Sequence, residues 1–228
     1  LLYAYGGFEV PQLPRYSAIT GTSWLENGGV YVVANLRGGG EFGPKWHQAV
    51  LKENRQKVFD DFHAVAESLI SKKITSPEKL GIYGGSNGGL LVGVAFTQRP
   101  ELYNAVVCAV PLLDMKRYNK LLAGASWMAE YGNPDKPEEW KYIRKYSPYH
   151  NVKEEMVYPE VFFTTSTRDD RVHPGHARKM VAKMDNLGYD VFYFENTEGG
   201  HAGASTNEQR ARQSALIYSY LQMKLMDK

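Results

Sequence analysis

One serine of the sequence stands in a turn that is typical of a nucleophilic hydrolase. Ser86 lies within residues 84–89, which read Gly-Gly-Ser-Asn-Gly-Gly. The apolar run before this turn has the character of a strand, and the run after it that of a helix. Strand, sharp turn and helix form a nucleophile elbow, in which strained backbone angles expose the serine hydroxyl and glycines relieve the crowding. The pattern predicts that Ser86 attacks a carbonyl carbon and that the Asn87 N–H faces the oxyanion that forms.

A serine in an elbow needs a base and an orienting acid, which follow it along the chain as acid and then histidine. Of the six histidines, only His201 occupies the loop after the last strand-like run. The acid should follow the preceding strand-like run, where Asp169 and Asp170 are adjacent. Spacing alone leaves the choice between these two open. Glu198 is a weaker candidate, because it is too close to His201 along the chain to reach across the imidazole ring.

Two further motifs suggest other chemistry but lack the context for it. Residues 38–43 match a dinucleotide-binding fingerprint, yet Pro44 and Trp46 interrupt the place where the phosphate-binding helix should begin. We interpret this stretch as a loop whose backbone passes close to other groups. His173 and His176 have no cysteine or third ligand near them, so a zinc site is not predicted. We therefore expect chemistry without a cofactor or metal ion.

Strand-like and helix-like runs alternate along the chain, which is typical of an α/β fold with a mostly parallel sheet and helices on both faces. The predicted strands are residues 1–5, 30–36, 79–83, 105–110, 160–166 and 190–196. The predicted helices are residues 17–26, 56–72, 88–98, 175–187 and 207–224. Residues 112–157 are polar, aromatic and broken by prolines, and we expect them to form a helical excursion above the sheet that builds a substrate pocket. The whole chain is predicted to be one domain.

The composition excludes several classes of protein. The 228 residues include 27 Lys and Arg against 25 Asp and Glu, a net charge of +2. This balance gives no electrostatic footprint for nucleic acid, and no apolar run reaches the roughly 20 residues that span a bilayer. Cys108 is the only cysteine and lies in an apolar run, so it forms no internal disulfide. We expect a cytoplasmic protein with neither nucleic-acid nor membrane partners.

The beginning of the chain carries its own expectation. It opens with apolar residues, without an initiator Met and without the basic segment and long apolar core of a signal peptide. A domain that starts inside an apolar run is expected to be part of a longer chain.

At several motifs the sequence resembles the catalytic domain of the prolyl oligopeptidase (prolyl endopeptidase) family, the serine-peptidase branch of the α/β-hydrolases. The resemblance covers nearly the whole chain. It rests on Tyr5-Gly6-Gly7-Phe8, Asn35-Leu36-Arg37-Gly38-Gly39-Gly40-Glu41, the turn at residues 84–89, Trp127 with Tyr131-Gly132, Tyr146-Ser147-Pro148, Asp169-Asp170-Arg171-Val172 and Gly200-His201.

This resemblance assigns roles that spacing leaves open. It implies that Asp169 is the orienting acid of a Ser86–His201–Asp169 triad, and that the Tyr5 hydroxyl is a second oxyanion donor beside the Asn87 N–H. It also implies an apolar slot for a substrate proline ring. In that slot Trp127 would lie flat against the proline ring, because this ring has no N–H to satisfy and matches the flat face of an aromatic side chain. The slot would be completed by Phe8, Tyr131 and Val172, and Arg171 would donate hydrogen bonds to the carbonyl that precedes the proline.

The resemblance also implies partners outside this sequence. Members of the family carry a β-propeller ahead of the hydrolase domain, which restricts access to short peptides. Relative to the family, the chain begins at the third strand of the hydrolase sheet, which would leave residues 30–36 as an unprotected edge that favours association. We predict that these 228 residues on their own are poorly soluble or weakly active.

The function implied is that of a serine endopeptidase that hydrolyses short peptides on the carboxyl side of proline. A related peptidase or esterase with another acyl preference, such as an enzyme that releases blocked N-terminal residues, is the alternative within the same class. From a different class, an inactive hydrolase-like binding module would have the same fold, although the three triad residues argue against it.

Overall fold

A six-stranded sheet forms the centre of the protein, in a computed structural model that describes residues 1–226. Each strand runs parallel to its neighbours, in the order β2-β1-β3-β4-β5-β6. The strands are β1 (Leu2–Tyr3), β2 (Val32–Val33), β3 (Gly81–Gly85), β4 (Ala105–Ala109), β5 (Val161–Ser166) and β6 (Val191–Asn196). All six predicted strands are present, although the first two are only two residues long.

Nine α-helical segments of very different length occur among residues 1–226. They are α1 (Ala18–Thr20), α2 (Pro44–Gln48), α3 (Gln56–Ser71), α4 (Asn87–Gln98), α5 (Met128–Tyr131), α6 (Pro137–Ile143), α7 (Pro148–Asn151), α8 (Gly175–Asn186) and α9 (Asn207–Leu225). Short 3₁₀ turns lie at Lys52–Asn54, Pro77–Lys79, Pro100–Leu102, Tyr118–Lys120, Leu122–Trp127 and Arg144–Tyr146.

Helices cover both faces of the sheet at its central strands, as the apolar sequences of β4 and β5 require. In β4, Val106 and Cys108 point into a large core together with α3, α4 and α8, whereas Ala105 and Val107 point to the opposite side against α9. Every residue of β4 and β5 is buried. The structure is therefore the predicted α/β-hydrolase fold with a doubly covered parallel sheet.

The prediction of one regular helix at residues 17–26 is wrong, because the segment changes its helix type part-way along. Only Ala18–Thr20 is α-helical, and Gly21–Leu25 forms a turn of π-helix. The wider turn places Trp24 in the core beneath α9, where its Nε1 donates a hydrogen bond to the Val30 carbonyl at 2.9 Å. Packing of one large side chain has thus overridden the α-helical period.

The excursion predicted at residues 112–157 is confirmed between β4 and β5. It contains α5, α6 and α7, and proline occupies the first position of α6 and α7. Proline is tolerated there because the first N–H of a helix has no partner within the helix. This segment carries Trp127 and Tyr131, and the Tyr131 hydroxyl reaches Asn87 just beyond the carboxyl end of β3.

The strand β2 lies at the edge of the sheet, as predicted, and pairs with β1 alone among residues 1–226. The side chains of Val30 and Val33 beside this edge are exposed. Whether the edge promotes association stays a prediction.

Candidate active site

The turn between β3 and α4 holds Ser86 in a conformation that few residues adopt. Its backbone angles are φ 59° and ψ −118°, and its N–H donates to the Ala109 carbonyl at 2.9 Å. A Cβ atom at Gly84 would overlap the Gly88 carbonyl oxygen, and one at Gly88 would lie 3.0 Å from the Ala4 oxygen. The glycines are needed because the chain turns from strand to helix within one residue. The sharp turn pushes the Ser86 side chain out above the sheet.

The side chain of His201 lies between Ser86 and Asp169. Its Nε2 is 3.0 Å from Ser86 Oγ, and its Nδ1 is 3.0 and 2.9 Å from the two carboxylate oxygens of Asp169. The three residues come from the loops that follow β3, β5 and β6, so the parallel sheet delivers all three to the same edge. This order and geometry are those of a nucleophile, a general base and an acid that orients the base and stabilises its positive charge.

The backbone around Asp169 fixes its carboxylate. Oδ1 accepts hydrogen bonds from the N–H groups of Arg171 and Val172, both at 2.9 Å, and the side chain is buried. Asp170, the neighbour that spacing alone could not exclude, is exposed. The geometry therefore favours Asp169 as the partner of His201.

Two groups that could stabilise an oxyanion lie beside Ser86. The Asn87 N–H begins helix α4 and meets no acceptor within residues 1–226. Burial raises the pKa of Tyr5, while the neighbouring Ser86 hydroxyl and the Arg171 guanidinium oppose this rise. The Tyr5 hydroxyl is thus protonated at neutral pH and close to the serine, as a hydrogen-bond donor to a developing charge must be.

The Asn87 side chain has a role that sequence reasoning missed. Its Nδ2 donates to the Tyr5 carbonyl at 2.6 Å, and its Oδ1 accepts from the Tyr131 hydroxyl at 2.6 Å and from Arg55 Nη2 at 2.7 Å. One buried amide therefore joins the loop of Tyr5, the excursion and the start of α3. An asparagine in a Gly-rich turn gives no sequence signal for such contacts.

The structure brings together some of the residues predicted for the proline slot. The rings of Phe8 and Tyr131 meet edge to face with centroids 5.5 Å apart, and Tyr131 is fully buried. Trp127, at the end of a 3₁₀ turn, is half-buried and packs on the same core. Val172 is buried and Arg171 is exposed, both in the loop that holds Asp169. The Tyr131 hydroxyl contacts Asn87, so this residue also helps to hold the start of α4 in place.

The sequence also gave no signal for the buried pair of Arg55 and Glu130. Arg55 Nη1 lies 2.6 Å from Glu130 Oε1, and both side chains are nearly inaccessible to solvent. Arg55 precedes an amphipathic helix and Glu130 lies in a polar excursion, where charged residues are ordinarily exposed.

The two motifs that suggested other chemistry have structural roles. The Gly38 N–H and carbonyl bind Trp46 and Glu9 backbone groups, and a Cβ at Gly38 would lie 2.7 Å from the Gly6 oxygen. The backbone of this loop therefore passes close to the backbone at Gly6, as we interpreted from the sequence. His176 is buried, and its Nδ1 accepts hydrogen bonds from the N–H groups of Leu113 and Asp114.

Comparison with known proteins identifies the chain. The model of the prolyl oligopeptidase family (Peptidase_S9) matches residues 15–228. The chain belongs to this family of serine peptidases. A Sinorhizobium fredii protein named "Uncharacterized peptidase y4nA" is 61% identical over 227 residues, which are 100% of this chain and 31% of that protein. A prolyl endopeptidase from Elizabethkingia miricola is 42% identical over 224 residues, 96% of this chain and 32% of its own length.

Solved structures of prolyl oligopeptidase relatives have the same fold. The structure of a post-proline cleaving enzyme from Rickettsia typhi is 46% identical, with a TM-score of 0.94, and the match covers 98% of this chain and 33% of that one. The chain therefore spans about a third of the length of the relatives it matches. Within residues 1–226, none of the helices has the length and apolar character needed to cross a membrane.

Proposed function

We propose that the chain is the catalytic domain of a serine endopeptidase that cleaves short peptides after proline. The observation that carries this proposal is the position of His201, whose two ring nitrogens face Ser86 and Asp169 at 2.9 to 3.0 Å. These distances are within the reach that proton transfer from a serine requires before substrate binds.

The reaction follows from the contacts around the serine. His201 Nε2 takes the Ser86 proton while Oγ attacks the carbonyl carbon, and Asp169 stabilises the imidazolium that forms. The Asn87 N–H and the Tyr5 hydroxyl donate hydrogen bonds to the oxyanion of the tetrahedral intermediate. His201 then protonates the leaving amine, and an acyl-enzyme remains on Ser86. Water, deprotonated by His201, attacks this ester and regenerates the free serine.

The preference for proline is proposed from the chemistry of the side chains predicted to form the apolar slot. A proline ring has no N–H to satisfy and fits against flat aromatic side chains. We propose that Trp127 lies against this ring, with Phe8, Tyr131 and Val172 around it, and that the Arg171 guanidinium donates to the carbonyl before the proline. Two relatives are named for cleavage after proline, which supports this assignment.

Partners of the domain are also proposed from the family. We propose that in the complete protein a β-propeller precedes these residues and limits the substrate to short peptides. The cytoplasmic location stays a prediction.

Turnover of a chromogenic peptide with proline before the scissile bond, measured in the complete protein that carries these residues, tests the proposal. Ser86→Ala should reduce kcat to background, because the nucleophile is lost, whereas Ser219→Ala, at an exposed serine of α9, should leave it unchanged. Turnover that survives in Ser86→Ala would rule out the proposed mechanism. Higher kcat/KM for alanine or phenylalanine than for proline would instead indicate the alternative acyl preference. Covalent labelling of Ser86 by a fluorophosphonate distinguishes an active enzyme from an inactive binding module.

A further inference from the structure

A buried ion pair contacts both segments that carry the two candidate oxyanion donors. The exposed fractions of Arg55 and Glu130 are 1% and 4%, and their charged atoms meet at 2.6 Å. The Glu130 carboxylate is further surrounded by donors: Oε1 accepts the Phe8 N–H at 2.9 Å, and Oε2 lies 2.7 Å from His47 Nε2. Both charges are therefore compensated by specific partners.

The pair connects three separate segments of the chain. Arg55 Nη2 donates to the Gly6 carbonyl at 2.9 Å and to Asn87 Oδ1 at 2.7 Å, while Glu130 binds the Phe8 N–H. The loop that follows Tyr5 is thus held at two successive points, and the same guanidinium holds the residue that begins α4.

The backbone of this loop has no room to move toward the pair. A Cβ at Gly7 would lie 2.7 Å from both Arg55 Nη2 and Asn87 Nδ2. At Gly6, where φ is +64°, a Cβ would lie 2.7 Å from a methyl group of Val58. The loop is therefore packed directly against the charged groups, so a shift of the guanidinium would shift the loop.

We infer that Arg55 and Glu130 are positioning residues that set the distance between the Tyr5 hydroxyl and the Asn87 N–H. This inference rests on the proposed function, since it assumes that both groups stabilise an oxyanion. The planar guanidinium offers several donors in a fixed arrangement, so one side chain bridges a carboxylate, a backbone carbonyl and an amide oxygen. Lysine has a single charged nitrogen and cannot hold the same three acceptors with this geometry.

Stability alone is a weak reason for such a pair. Desolvation of two charges offsets most of their attraction, and a buried ion pair is often no more stable than apolar residues of similar volume. Position matters more to catalysis, because a misplacement of about 1 Å can reduce the rate roughly 100-fold. The pair therefore acts on kcat through the oxyanion donors. Because Glu130 also holds the Phe8 N–H, and Phe8 belongs to the proposed slot, we expect KM to rise as well, but by less than kcat falls.

A double-mutant cycle in the complete natural protein that carries these residues tests this inference. The variants are Glu130→Gln and Arg55→Lys, each made in the native background and together with Tyr5→Phe. In the native background we expect kcat on the prolyl peptide to fall on the order of 10- to 100-fold, a larger change than the rise of KM. In the Tyr5→Phe background the same changes should lower kcat clearly less than in the native background, because one of the two donors whose separation they set is already absent.

Equal losses of kcat in both backgrounds, with Tyr5→Phe itself slow, would overturn this inference and leave the proposed function intact. If Tyr5→Phe kept full kcat, the Tyr5 hydroxyl would not be an oxyanion donor. This result would overturn the oxyanion assignment together with the inference. Turnover in Ser86→Ala would overturn the proposed mechanism itself.

Two further variants separate positioning from folding. Glu67→Gln removes one carboxylate of the exposed pair with Arg99 and is the matched control, for which we expect unchanged kcat. The double variant Arg55→Met with Glu130→Gln removes both buried charges, so it avoids an unpaired buried charge if either single variant folds poorly. We expect this folded double variant to keep the reduced kcat, and full kcat in it would overturn the inference.

Discussion

Both carboxylate oxygens of Asp169 contact His201 Nδ1, at 3.0 and 2.9 Å. This contact requires the imidazole proton on Nδ1 and leaves the lone pair of Nε2 facing Ser86 Oγ. The orientation of the base is therefore set by a carboxylate that is itself buried.

The first prediction concerns this orientation. Asp169→Asn should lower kcat by roughly 10⁴-fold, because the amide can donate to Nδ1 and so favours the wrong tautomer of His201. The asparagine Oδ1 can still accept the N–H groups of Arg171 and Val172, so the loop should keep its fold. Steady-state kinetics of Asp169→Asn and of the control Asp170→Asn measure the effect. A similar loss in both variants would contradict the assignment of Asp169.

The second prediction concerns the Tyr5 hydroxyl. Tyr5→Phe removes only this group and should lower kcat by roughly 100-fold with little change in KM, because the donor acts when negative charge develops. Tyr3→Phe is the matched control, since Tyr3 is a partly buried tyrosine of β1 that stacks on Tyr31. A rise of KM without a fall of kcat would indicate that Tyr5 binds substrate in the ground state instead.

The third prediction concerns the steric demand of the turn. A methyl group at Gly84 would overlap the Gly88 carbonyl, whereas at Gly85 its nearest neighbour would be 3.7 Å away. Gly84→Ala should lower the free energy of unfolding by about 3 kcal/mol or more, because strand and helix must separate. Gly85→Ala should change it by less than about 1 kcal/mol. Denaturant unfolding of the two variants measures the difference, and equal stability would contradict the tight turn.

The fourth prediction concerns the dependence of stability on pH. Burial lowers the pKa of His176 to about 4, and Nδ1 already accepts two backbone N–H groups, so a proton there would face two donors. The unfolded chain binds this proton near pH 6.5, before the folded protein does. The contribution of His176 to the free energy of unfolding should therefore be constant above pH 6.5. It should fall by about 3 kcal/mol as the pH drops toward 4.

His176→Gln isolates this contribution. The glutamine carbonyl can accept the same N–H groups and does not titrate, so the variant should lose less stability between pH 6.5 and 4 than the native protein. Denaturant unfolding at several pH values measures both curves, and their difference above pH 7 provides the baseline. Parallel curves throughout this range would contradict the neutral state of the buried ring.

Much of the fold and part of the site could be predicted from sequence because their causes are local. The glycines around Ser86 predict a sharp turn, since crowding at that turn is a matter of neighbouring residues. Apolar runs without polar alternation predict strands covered on both faces. The order of serine, acid and histidine follows from the parallel sheet, which brings successive strand ends to one edge.

Other features were decided only by the tertiary structure. Spacing left Asp169 and Asp170 equivalent, and their difference in burial arises from how the loop folds over β5. The π turn at Gly21–Leu25 depends on the place that the core offers to Trp24. The contacts of Arg55 with Gly6, Asn87 and Glu130 join residues 32 to 75 positions apart. The residues next to a charged side chain in sequence do not show that it is buried. The desolvation cost of its burial is offset by partners that only the folded chain brings together.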